Sequence, residues 1–271
     1  MKSKSIFVAL LTAALAVHAA PISESTVTDI IKDVSVVDAI TKDAAPASVS
    51  ALVKAPNFVR TGPESRAELT ASDKTVTRVG ANSVFAFEPE SRAIRLEKGS
   101  VLFHSPKGKG GGVIKSGGAS AAVLGTTVIC AKGADGTFKT VLLEGEVKVT
   151  LANGQSVTLH DGQMVIVAAD GNSFSEIYDI NLETLTGGSL LVNGFSHPLD
   201  SAPLIAEAIR KQKDKLARGG NTGGGASNTN QLDGVTLQTF VPPTFENRQA
   251  ETANDPIGKP IIPVDRVLGQ P

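Results

Sequence analysis

Three histidines, one cysteine and a glycine-lysine run are the residues of this chain best suited to chemistry. His104, His160 and His197 stand far apart and form no HExxH, HxH or CxxC pattern, so no local spacing supplies the convergent donors a zinc ion requires. The inward histidine cluster of a metal-binding β-barrel is missing too. His160, beside Asp161 at the end of an apolar run, reads as a solvated turn residue. Cys130 lies in the β-branched run Thr126-Thr127-Val128-Ile129-Cys130-Ala131. It reads as a small buried hydrophobe, since a nucleophilic thiol needs a base that the local sequence does not offer. Gly108-Lys109-Gly110-Gly111-Gly112 offers backbone N–H groups to a phosphate, but it lacks the GxxxxGK[ST] spacing and a following helix and reads as a mobile loop. Ser65, Ser83 and Ser100 sit in no nucleophile elbow and beside no His and Asp setting. No catalytic residue, metal or cofactor is expected.

The elements around these residues read as short strands. Ala67 and Leu69, Ile94 and Leu96, Val101 and Phe103, and Val147, Val149 and Leu151 follow the period of two that puts alternate side chains on one face. Their other faces are expected to be wet. Lys98-Gly99, Asp135-Gly136, Asn153-Gly154, Asp161-Gly162 and Asp170-Gly171 mark reversals or corners. Strands at roughly ten-residue spacing leave a sandwich, a barrel or a solenoid open. Residues 27–40 suit a helix face or extended structure equally, given their density of Val, Ile and Thr. After residue 178 come two short apolar units and then a helix, capped by Ser201 with Pro203 in its first turn. Its stripe is Leu204, Ile205, Ala208, Ile209 and Leu216, and its C-terminal half carries Arg210, Lys211, Lys213, Lys215 and Arg218. Such a helix docks on the β region or meets a partner or an anionic surface.

Charge and composition narrow the partners. With 26 Lys+Arg against 27 Asp+Glu and only 4% aromatic residues, the chain lacks the basic footprint and stacking surfaces of nucleic-acid binders. Lys2 and Lys4 precede an apolar run over residues 6–17 and small residues at Ala19 and Ala20. This is the pattern of a signal peptide cleaved after Ala19, and twelve apolar residues are too few to cross ~30 Å of hydrocarbon. A retained anchor is the alternative. No second run is long enough to span a membrane, and Cys130 has no partner for an intrachain disulfide. From Gly219 the chain becomes rich in Gly, Asn and Pro and is expected to be a disordered tail, within which 235–241 and 261–267 are apolar enough to dock on a partner.

Six blocks carry a family likeness. Thr61-Gly62-Pro63-Glu64-Ser65-Arg66-Ala67-Glu68-Leu69, Arg78-Val79-Gly80-Ala81-Asn82-Ser83 and Leu96-Glu97-Lys98-Gly99-Ser100-Val101-Leu102-Phe103 are followed by three more. These are Ala122-Val123-Leu124-Gly125-Thr126-Thr127, Leu143-Glu144-Gly145-Glu146-Val147-Lys148-Val149 and Asp161-Gly162-Gln163-Met164-Val165-Ile166-Val167. In order and spacing they resemble a FecR-type domain over residues 27–170. The resemblance implies an all-β, twisted, solenoid-like exported domain without catalysis. The best-known members regulate iron uptake through a cytoplasmic sigma-factor module and a transmembrane helix. This chain looks like the stand-alone exported members instead, with no output module before its signal peptide. The expected organisation is a signal peptide (1–19), a FecR-type β-domain (20–175), a helical accessory segment (176–218) and the tail (219–271). A periplasmic or secreted binding or scaffold protein follows, with an envelope protein or polymer as partner and self-association possible. An indirect sensor of cell-surface signalling and an envelope carbohydrate binder are the alternatives. The motif glycines lie at the edges of β-rich runs, where a corner wants no Cβ. Arg66 and Glu68 share a strand face, suited to a cross-strand ion pair or a partner contact; such a pair at a surface is worth only ~0–1 kcal/mol.

Overall fold

The computed structural model describes residues 21–218; the expected signal peptide and the tail from Gly219 lie outside them. The strands are β1 (Glu24–Ile31), β2 (Val34–Val37), β3 (Ala44–Pro46), β4 (Leu52–Lys54), β5 (Phe58–Thr61), β6 (Arg66–Thr70), β7 (Val76–Val79) and β8 (Val84–Phe87). There follow β9 (Ala93–His104), β10 (Gly112–Ser116), β11 (Ala119–Val123), β12 (Thr127–Lys132), β13 (Phe138–Glu144), β14 (Glu146–Leu151), β15 (Ser156–His160), β16 (Gln163–Val167) and β17 (Tyr178–Asp179). Three helices close the described chain: α1 (Leu182–Gly188), α2 (Leu190–Asn193) and α3 (Ala202–Ala217). The ambiguous residues 27–40 are extended, as β1 and β2.

All seventeen strands are joined in one hydrogen-bonded network, which the twelve-residue β9 divides into two layers. Residues 93–98 of β9 pair with β8 and β10, in an open sheet of order β3-β2-β5-β8-β9-β10-β11-β14-β15. Residues 99–104 pair with β7 and β12, in a helix-covered sheet of order β4-β1-β6-β7-β9-β12-β13-β16-β17. Every pairing is antiparallel except β9 with β10. Neither sheet closes on itself.

The core between the layers draws Val27, Leu69, Val101, Phe103, Val128 and Leu142 from the covered sheet, and Val59, Phe85, Ile94, Leu96, Ile114 and Val149 from the open one. In β14 of the open sheet the period of two behaves as expected: Val147, Val149 and Leu151 are buried while Glu146 and Lys148 are exposed. On the covered sheet the expectation of a wet second face fails. Leu102, Ile129, Val141 and Leu143 point away from the inter-layer core yet are wholly buried, packed under Leu182, Leu185, Leu191 and Ile205 of the helices. Removing such side chains from water is worth ~1.5–3 kcal/mol each, which is why these strands read as continuous apolar runs.

The last helix departs from expectation in detail. Ser201 precedes α3 but makes no side-chain capping bond, and Leu204 is 41% exposed while Ile205 and Ala208 carry the docked face. Part of the basic half meets acids: Arg210 pairs with Glu207 and Asp214, and Lys213 with Glu183. A single side chain, Gln212, ties α3 to the covered sheet and α1 by donating to Ile180 O at 2.7 Å and accepting from Leu182 N at 3.1 Å.

Candidate functional site

The motif glycines stand where the chain crosses between the two layers. Gly62 links β5 to β6, Gly80 links β7 to β8, Gly99 lies inside β9 where it changes sheet, and Gly125, Gly145 and Gly162 make the β11–β12, β13–β14 and β15–β16 crossings. Around the first three, Thr61 Oγ1 donates to Gly80 O at 2.5 Å and accepts from Ser83 N at 3.0 Å, and Ser83 Oγ accepts from Ser100 N at 2.9 Å. Ser65 Oγ donates to Pro63 O and accepts from Asp33 N at 3.0 Å, while Asn82 N donates to Gly62 O. Around the second three, Thr126 Oγ1 donates to Glu146 O at 3.0 Å, Asp161 accepts from Gly145 N at 2.6 Å, and Gln163 Oε1 accepts from His160 N at 2.9 Å. The hydroxyls of Thr61, Ser65, Ser83 and Thr126 thus engage the protein's own backbone, as does Gln163 Oε1, while Gln163 Nε2 donates to Asp179 Oδ1 at 3.3 Å.

The cross-strand ion pair forms from Glu68, and it is largely buried rather than exposed at a surface. Glu68 reaches across to Arg78 on β7, whose side chain is 0% exposed, and accepts from its Nε at 2.8 Å. The remaining Arg78 donors go to the carbonyls of Leu191, Val192 and His197 at 2.6–3.1 Å, and the Phe195 ring lies 4.4 Å from its guanidinium carbon. Arg66 Nε donates to Gly194 O at 3.2 Å, and Asp29 accepts from both the N–H and the hydroxyl of Ser196 at 2.8 Å. Three strand residues therefore clamp the segment after α2 onto the covered sheet. Arg78 was hidden in the sequence as a lone charge in Val76-Thr77-Arg78-Val79, a strand buried on both faces.

A cleft of about 380 Å³ opens beside the start of α3, lined by Asp73, Lys74, His104, Lys107, Lys109 and Ser201 among others. Behind it runs a buried chain of three groups: His104 Nδ1 shares a hydrogen with Thr127 Oγ1 at 2.9 Å, and Thr127 Oγ1 donates to Glu144 Oε1 at 2.7 Å. Burial lowers the His104 pKa, partly opposed by Asp200. Burial raises that of Glu144, against the Thr127 hydrogen bond. Cys130 is fully enclosed, and burial pushes its thiol up to about 12, so it is no nucleophile at neutral pH. His160 is an exposed strand-end residue 3.9 Å from Glu146. Among the described residues no group of three or more His, Cys, Asp or Glu side chains is placed to hold a metal ion. The glycine-lysine run forms the link from β9 to β10; Gly111 and Gly112 press against the Val123 carbonyl and the Phe103 ring, and no helix follows.

The family model described as FecR protein matches residues 57–148. The resemblance to a FecR domain holds over this stretch. The match covers about a third of the chain and takes in the first four blocks and most of the fifth, leaving Asp161-Gly162-Gln163 outside. No curated protein matches the chain. Among solved structures, two crystal structures of a candidate anti-sigma factor from Parabacteroides distasonis ATCC 8503, at 1.65 and 2.50 Å, are similar at 19% identity and a TM-score of 0.39. In each, the similarity covers 45% of this chain and 59% of the other. The matched stretch, 57–148, contains the Glu68–Arg78 clamp and one wall of the cleft, from Asp73 to Gly125; Asp200, Ser201 and Leu204 form the other wall.

Proposed function

We propose that the protein is a non-catalytic, exported binding or scaffold module of the cell envelope, acting in the periplasm or outside the cell. The observation that carries this reading is the FecR match over residues 57–148. The engagement of the motif hydroxyls and amides with the protein's own backbone supports it, since residues used to turn corners are not poised for reaction. The same reading takes the passage of successive hairpins between two layers as the solenoid-like winding of the family, with residues 1–19 as a cleaved signal, 176–218 as a helical accessory segment and 219–271 as a Gly/Asn/Pro-rich tail. The FecR match also favours a second reading, a sensor component of cell-surface signalling. In that reading it regulates a sigma factor indirectly; among the described residues no helix is long and apolar enough to cross a membrane.

Crosslinking of a tagged full-length copy in living cells, with envelope fractionation, tests both readings. Recovery from the envelope fraction, crosslinked to a surface receptor or an anti-sigma protein and with altered transcription in a clean deletion strain, supports the sensor. Envelope recovery with wall or surface components and unaltered transcription supports the scaffold. Retention in the cytosol, or a hydrolytic activity lost on a single polar substitution that leaves the fold intact, overturns the proposal.

A further inference from the structure

Of the edge strands of the two sheets, one is unguarded. β3 and β4 have three residues each, β3 with Pro46 and β4 with Lys54, and β17 has two. Shortness, proline and lysine are what keep a sheet edge from pairing with another strand. β15 has five residues, Ser156–His160, with neither proline nor a Lys, Arg, Asp or Glu side chain. Among the described residues it pairs with β14 alone. Leu151 N donates to Gln155 O, and Val149 and Val147 stand opposite Val157 and Leu159. The alternation of an antiparallel ladder then aims the N–H and C=O of Val157 and Leu159 at β14, and those of Ser156, Thr158 and His160 away from it. His160 N is met by Gln163 Oε1, which leaves the Ser156 and Thr158 groups facing outward along the edge. The core is unfinished at the same place. Leu159 is fully buried, but Val157, Phe174 and Ile177 are only half-buried against the inter-layer core.

We propose that β15 accepts a further strand and that residues 235–241 of this chain supply it, extending the open sheet and roofing Val157, Phe174 and Ile177. The last helix delivers the chain to this edge: Lys211 and Lys215 of α3 line one cleft with His160 and Asp161, and Arg218, where the described residues end, follows Lys215 within one turn. Val235-Thr236-Leu237-Gln238-Thr239-Phe240-Val241 lies between Gly234 and Pro242 and has the period of two. Val235, Leu237, Thr239 and Val241 fall on one face, which suits the half-buried core residues, and Thr236 and Gln238 on the other, with Phe240 the exception. The segment has no charge and no proline, whereas 261–267 contains Pro263, Asp265 and Arg266, which disfavour a ladder. Sixteen residues, 219–234, separate the helix end from the segment. A Gly-rich connection of that length has an end-to-end distance of ~20–24 Å, matched to the ~17 Å of a five-residue strand, and presents its cargo at an effective concentration on the order of mM. That exceeds what a second copy reaches in dilute solution. This assignment stands independently of the envelope role.

The test is amide hydrogen exchange of the full chain, read residue by residue by NMR, with the Val157 and Leu159 amides, which face β14, as internal standards. The Thr158 amide is expected to exchange about tenfold or more slowly than an unpaired amide, independently of protein concentration. Leu237→Pro/Thr239→Pro removes two donors from the added strand without touching the described fold. It is expected to return Thr158 to the rate of an unpaired amide while Val157 and Leu159 keep theirs. Free exchange of Thr158 in the parent chain overturns the proposal. Protection that survives the double proline variant also overturns it: if that protection grows with protein concentration, the occupant of the edge is a second copy, and if it does not, another segment of the chain.

Discussion

A methyl group added at Gly99 has nowhere to go. The residue sits at φ +83°, and its Cβ would collide with the Ser83 hydroxyl and lie 2.6 Å from Ser83 Cα, backbone that cannot swing aside. Gly154, in the β14–β15 turn, has a similar φ of +86° with nothing within 4 Å. Gly154→Ala is therefore expected to cost about 1 kcal/mol, the strain of a left-handed alanine alone, and Gly99→Ala about 3 kcal/mol or more. Urea unfolding of the two variants measures the difference, and equal losses would show that the contact with Ser83 yields. Arg78 offers a second test. Arg78→Met leaves the Glu68 carboxylate, 12% exposed, and three carbonyls without their donor, and is expected to cost about 3–5 kcal/mol. Glu68→Met on top of it should return part of that loss, which a double-mutant cycle reads directly.

At the scale of elements, the helices decide what the strands look like. Because α1–α3 cover one sheet and leave the other bare, period-two reading of Val147, Val149 and Leu151 works, whereas the same reading of Val101 and Phe103 misses the equally buried Leu102 between them. Nothing local in residues 100–104 distinguishes the two situations; the cover comes from residues some eighty positions later. For the same reason the cross-strand pair of Glu68 was legible but its burial was not, since neither Arg78 opposite nor Gly194 above can be inferred from a strand by itself. The crossings were legible, because a glycine that changes layers between two β-rich runs leaves a local mark. The two walls of the cleft were not, since Ser105 and Ser201 meet only in the fold. The docked face of α3 can be checked by truncation: Ile205→Ala is expected to cost about 2–5 kcal/mol and Leu204→Ala well under 1 kcal/mol, measured as shifts in the urea midpoint.

For the molecule as a whole, acid should weaken the fold from the His104 side first. His104 has a folded pKa below its ordinary 6.5, so the unfolded chain takes the proton more readily. The stability it confers is complete above pH 6.5 and is lost as pH falls through the folded value. Glu144 acts in the opposite sense: its raised pKa makes its contribution complete below its ordinary 4.5 and lost as pH rises through the folded value. Thermal unfolding between pH 7.5 and pH 5.5, a window set by the direction of these shifts, should show a fall in Tm that His104→Gln reduces. A variant that falls as steeply as the parent would place the sensitivity elsewhere.

The splitting of β9 between two sheets also dictates how the molecule can be assembled. In both sheets every strand on one side of β9 precedes it in the chain and every strand on the other side follows it. A polypeptide emerging N-terminus first can therefore complete one half of both layers as soon as β9 appears. Each later hairpin then accretes onto an edge already in place, β11 receiving β14 and β13 receiving β16. From β9 onward construction runs from one end to the other, like courses of masonry laid on a finished row, and no strand waits unpaired for a later one.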